Sequence, residues 1–125
     1  MIIGDQNDVT VAVLQAIEKT PDPRLREILT VMIKHLDKGQ GAATGLSTLV
    51  AEELDASWEQ IRTEFAPADT DKYKNFAFGV QGVGGSTGLA NSFEQYRQAG
   101  AAARAMLVAA AARSWSCLLY TSPSP

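Results

Sequence analysis

Two short segments, Gly39-Gln40-Gly41 and Gln81-Gly82-Val83-Gly84-Gly85-Ser86-Thr87, hold the residue types and spacing best suited to chemistry. Glycine lets the backbone come close to a ligand and turn through conformations closed to other residues. Successive N–H groups in such a segment form a concavity for an anion. A glutamine amide adds two donors and one acceptor for the edge of a heterocycle. Together these groups suit a large polar ligand that carries phosphate. The alternative is two flexible turns, and the common nucleotide loops are not matched. There is no GxxxxGK(S/T), and no GxGxxG opens a helix after a strand.

Other candidates carry less. His35 is the only histidine, and without a second histidine or a nearby cysteine it reads as a surface or boundary residue. Glu52 and Glu53 resemble a carboxylate pair but fall on a helix with one flank in water. Arg97 and Arg104 lie two turns apart on one helix, where Arg104 could reach a phosphate and solvation is the simpler reading. Trp58, Tyr73, Phe76 and Phe78 suggest a stacking platform for bases, but no basic groove accompanies them. No residue is assigned a catalytic role, and none a metal.

The elements that must position these groups can be read from periodicity. Asp8 caps a helix over about 8–18, with Val9, Val13, Leu14 and Ile17 on one face. Pro21 ends it, and Pro23 suits the first position of a second helix over about 23–36. In that segment Leu25, Ile28, Leu29, Met32 and Leu36 have helical spacing, although 28–33 would also make a buried strand. Helix is the expectation. After the glycines, 44–54 is an amphipathic helix with Leu46, Leu49, Val50 and Leu54 on its stripe. Residues 60–65 form a short strand with Ile61, Thr63 and Phe65 on one side. Residues 67–88 read as a long loop, and Asn91 or Ser92 caps an alanine-rich helix over about 92–113. The fold class is therefore α+β, mainly α.

With 125 residues the chain is at most one small domain. Its hydrophobic content of 46% and charged content of 20% are ordinary for a globular protein. A net charge of −3 argues against electrostatic affinity for nucleic acid or anionic lipid. No apolar run is long enough to span a membrane, and the N-terminus has no signal-peptide pattern. Cytoplasm is the default compartment.

From Lys34 to Arg113 the chain resembles the molybdopterin-binding large subunit of the xanthine dehydrogenase/aldehyde oxidase family, in its isoquinoline oxidoreductase beta-subunit branch. The resemblance rests on Lys34 to Gly41, Leu49 to Ala56, Glu64 to Asp69, Gln81 to Thr87 and Ala90 to Arg97. It implies a fragment of a molybdenum hydroxylase acting on aldehydes or N-heterocycles. It also implies that Gly39, Gln40, Gly41, Gly84, Gly85, Ser86 and Thr87 line the molybdopterin cofactor, and that an iron–sulfur small subunit is the partner. The family's general-base glutamate falls downstream of this stretch, so the fragment is expected to be inactive and to hold no cofactor by itself.

Residues 1–36 resemble the N-terminal helical segment of intradiol (catechol or hydroxyquinol) dioxygenases, through Asp8-Val9-Thr10, Thr20 to Ile28 and Ile33 to Leu36. That resemblance implies a dimerisation and linker segment. Leu25, Ile28, Leu29 and Met32 would form the association stripe of a homodimer through 23–36. Cys117 to Pro125 is similar to a translated sequencing adapter, which makes the single cysteine uninformative. The organisation expected is thus 1–36 dioxygenase-like, 37–113 a partial molybdopterin-binding domain and 114–125 an artefactual disordered tail. An assembly chimera with no cellular role of its own is one expectation. The N-terminal segment of a ring-cleaving dioxygenase is the alternative function.

Overall fold

The computed structural model describes residues 29–116. The helix expected over 8–18, the start of that expected over 23–36, and the tail from 117 onward lie outside the described residues.

The chain enters as a strand, β1, Leu29–Ile33. This corrects the helix expected through 36. Helical spacing of Leu29, Met32 and Leu36 could not decide so short a run. Thr30, Val31 and Ile33 are β-branched and favour extended backbone, and Leu29, Val31 and Ile33 alternate into the core. The partner is β2, Ile61–Phe65, paired parallel in a register that runs from Leu29 opposite Ile61 to Ile33 opposite Phe65. Parallel neighbours need a crossover, and the helix α1, Ala42–Leu54, supplies it.

β2 falls within the strand expected over 60–65, behind a 3-10 turn at Trp58–Gln60. Only Ile61 of its expected inner face packs against the core, and Phe65 is exposed. The expected loop 67–88 contains a one-turn helix, α2, Thr70–Tyr73, capped by the Asp69 carboxylate. Farther on, an isolated bridge joins Asn75 to Val80. The last helix, α3, Thr87–Ser114, begins one and a half turns before the expected start. The described residues are mainly helical with a small two-stranded sheet, the α+β class expected.

The core joins Leu29, Val31 and Ile33 to Leu46 and Val50 of α1 and Tyr96 and Ala99 of α3. The two long helices approach closely at Gly100, where an added Cβ would stand 2.8 Å from the Val50 carbonyl oxygen and 2.9 Å from Glu53 Cβ. Arg97 pairs with Glu53, and Arg104 with Asp55 at 3.4 Å, along the rim of this contact. Both arginines are thus engaged with α1, and Glu53 serves as a helix-to-helix ion pair.

Because 29–33 is extended, no helical association stripe runs through Leu29 and Met32. Leu29 faces the core, and the Met32 sulfur accepts from the Tyr73 hydroxyl at 3.2 Å.

Candidate functional site

Asp37 organises the first glycine cluster. Its carboxylate accepts the N–H groups of Gly39 at 2.9 Å, Gly41 at 3.3 Å and Ala43 at 2.9 Å. These bonds, Ala43's foremost, hold the carboxyl below the usual aspartate range. Gly39 and Gly41 have φ of 103° and 81°, a region that favours glycine. Gln40 closes the loop on itself. Its Nε2 donates to the Leu36 carbonyl at 2.7 Å, and its Oε1 accepts the Lys38 N–H at 2.7 Å. One N–H and one lone pair of the amide remain for a ligand.

The second cluster leads into α3. Ser86 takes a left-handed φ of 57° at the helix start, and its hydroxyl makes no capping bond. First-turn N–H groups have no intrahelical partner, and the helix dipole adds partial positive charge there. Beneath this end lies a buried polar network. Asn75 Nδ2 donates to Thr87 Oγ1 at 2.8 Å and to the Gly82 carbonyl at 3.3 Å. Thr87 Oγ1 in turn donates to the Gly84 carbonyl at 2.8 Å. His35 Nε2 meets Ser92 Oγ at 2.8 Å, and the imidazole lies against Gly88.

His35 is therefore a core residue, not the surface or boundary histidine expected, and only 1% of it is exposed. Burial lowers its pKa, the Lys34 charge adds to that, and the Gly82 carbonyl opposes it. Apart from that Gly82 interaction, which falls short of hydrogen-bond geometry, its Nδ1 has no partner among the described residues.

The two clusters converge on a cleft of about 320 Å³. Lys38, Gln40 and Ala42 form one wall, and Val83 through Leu89 the other. Of the seven residues expected at a ligand, Gln40, Gly84, Gly85, Ser86 and Thr87 line it together. Gly39 and Gly41 shape the loop behind Gln40 and are not on its surface. Thr87 Oγ1 already has two partners and its N–H donates to the Gly84 carbonyl at 3.1 Å, so Thr87 shapes the wall and leaves the free donors to its neighbours. Gln81 turns away, accepting the Asp69 N–H at 2.9 Å and donating to the Pro67 carbonyl at 3.1 Å, and thereby pins the 67–81 segment.

Lys38, Asp37 and Asn75 also belong to this site, and the sequence pattern does not single them out. The spacing of Asp37 to the glycines and to Ala43 was the available signal for a cap. Asn75 has none in the sequence, since its partners come from folding.

A second hollow of about 300 Å³ lies between Ile33, Lys34, Phe65, Gln81 and Val83. Lys34 is 2% exposed; its Nζ donates to Gln95 Oε1 at 2.6 Å and stands 4.8 Å from the Phe76 ring centre. Burial without a carboxylate partner among the described residues pushes its pKa down to about 8. Among the described residues no three histidine, cysteine or acidic side chains gather as a metal site. No described helix is long and apolar enough to cross a membrane.

The chain is 42% identical over 90 residues to isoquinoline 1-oxidoreductase subunit beta of Brevundimonas diminuta, which covers 71% of this chain and 12% of that protein. It is 35% identical over 95 residues to the membrane-bound, pyrroloquinoline-quinone aldehyde dehydrogenase of Gluconacetobacter polyoxogenes, covering 76% of this chain and 11% of the relative. No family model matches the chain, and no solved structure matches it. The chain therefore carries a segment similar to about one-ninth to one-eighth of the length of two oxidoreductases, one of them named as a subunit.

Proposed function

We propose that the chain is a fragment of the large subunit of a molybdenum hydroxylase acting on aldehydes or N-heterocycles, and that its cleft forms one section of the wall holding the pyranopterin cofactor. The convergence of Gln40 with Gly84 to Thr87 on one cleft carries this reading. The donors present fit such a ligand. The α3 N-terminus and the free Ser86 hydroxyl suit a phosphate, Lys38 adds a cation at the rim, and the remaining Gln40 valences suit a heterocycle edge. The bound molybdenum centre would supply the hydroxylation chemistry. This chain's residues bind and orient its cofactor, and none of the cleft-lining side chains is a carboxylate or imidazole able to act as general base. A separate iron–sulfur subunit is the expected partner.

A few net hydrogen bonds of about 0.5–1.5 kcal/mol each give an affinity near the millimolar range. The fragment should therefore purify without molybdenum and show no hydroxylase activity.

Titration with neopterin monophosphate, followed by pterin fluorescence anisotropy, tests the reading. Saturable millimolar binding that inorganic phosphate displaces is expected; no binding at 10 mM or so would overturn it. The name of the Gluconacetobacter relative favours one other ligand, pyrroloquinoline quinone, a flat polycarboxylate that could use the same donors. Tighter binding of that quinone in a parallel titration would transfer the site to it.

A further inference from the structure

The turn between the two hollows presents an aromatic side chain beside the cleft, and it does so rigidly. Asn75 is fully buried, and its backbone N–H donates to the Val80 carbonyl at 2.9 Å while its own carbonyl accepts from Phe78 at 3.1 Å and Gly79 at 2.8 Å. Its side-chain Oδ1 accepts the Ala77 N–H at 3.0 Å. The same side chain is fixed to Thr87 and Gly82, so the turn and the α3 N-terminus are one polar unit. Gly79 at φ 72° lets the turn close.

Phe78 sits at its tip. The ring edge lies 3.9 Å from where a Gly84 Cβ would be, yet the residue is 48% exposed. One edge of the ring thus rests on a residue of the cleft wall while much of its surface meets water. By contrast Phe76, on the same turn, receives the Lys34 ammonium. Phe78 has no such partner among the described residues, and because the backbone of its turn is already held, stacking on it costs little further backbone ordering.

We infer that Phe78 is a positioning residue of this cleft: it stacks on the flat heteroaromatic ring of a phosphate-bearing ligand whose phosphate is held at the α3 N-terminus. This rests on the cofactor-wall reading above, and it assigns the turn a role in choosing among phosphate-bearing ligands. Stacking acts on the ring system alone, so the contribution of Phe78 separates from that of Ser86 and the helix end. Aromatic stacking on a heterocyclic base is lost on alanine substitution with an effect of about tenfold in affinity, tolerant of which aromatic supplies it.

The test compares the whole chain with Phe78→Ala and Phe78→Trp, titrating each by NMR with neopterin monophosphate and with inorganic phosphate. The site is exposed, so both variants should keep the amide spectrum outside 75–88. Phe78→Ala is expected to bind neopterin monophosphate about tenfold more weakly and inorganic phosphate unchanged. Phe78→Trp should retain binding, and the pterin ring proton should move upfield with Phe or Trp present but not with Ala. Unchanged neopterin monophosphate affinity in Phe78→Ala overturns the inference while leaving the cofactor-wall reading standing. Equal weakening of both probes overturns it too, since the ring would then only support the loop. Failure of the unmodified chain to bind either probe removes both readings.

Discussion

The Tyr96 hydroxyl on α3 donates to the Met32 carbonyl at 2.7 Å, closing the outgoing end of β1 onto the long helix. The same oxygen accepts the Lys34 N–H at 2.9 Å. One buried phenol thus satisfies two backbone groups where the strand leaves its β2 ladder, and its burial raises its pKa. Tyr96→Phe keeps the ring and strands both groups. Leaving buried polar groups unpaired costs about 1–3 kcal/mol. Urea denaturation should show a lower midpoint at unchanged slope; an unaltered midpoint would mean that water reaches this end of β1.

Gly100 should tolerate no side chain. An alanine Cβ there would meet the Val50 carbonyl and Glu53 Cβ inside ordinary contact distance, and both belong to the α1 backbone or its immediate root. Neither can swing aside as a long side chain could. Gly100→Ala is expected to destabilise by about 1–3 kcal/mol through overpacking, despite alanine's better helix propensity. A rise in melting temperature would show that the two helices are farther apart than described.

Asp37 should stabilise the chain only while it is ionised. Its carboxyl is held below the usual aspartate value by the N–H groups of Ala43, Gly39 and Gly41. A depressed folded value means stability that is present above the unfolded pKa and lost as pH falls through the folded one. Asp37→Ala should therefore lower the melting temperature at pH 7 and cost progressively less as pH falls toward 2. A deficit of equal size at both pH values would point to packing instead of charge.

The sequence made the helix 44–54, the strand 60–65 and the two glutamine–glycine loops legible, because each shows in local residue types. What it hid came from tertiary pairing. Leu29 to Ile33 fits helix and strand spacing alike, and only β2, distant in sequence, decides between them. The start of α3 was masked by Gly88 and by reading Asn91 and Ser92 as caps. In fact Asn91 Oδ1 accepts the Phe76 N–H at 3.2 Å and Ser92 pairs with His35, so both look sideways from within the helix. The exposed-seeming His35 is buried because α3 crosses above it, which no local pattern announces.

The most direct measurement of the central claim is an amide-shift map of the labelled chain on titration with neopterin monophosphate. The account predicts that the moving signals cluster at Gly84 to Leu89 and at the side-chain amide of Gln40, with Gln81 and the Arg97 and Arg104 face still. Shifts spread over that arginine face, or confined to the hollow around Lys34, would mean that the two glycine clusters do not make one ligand wall.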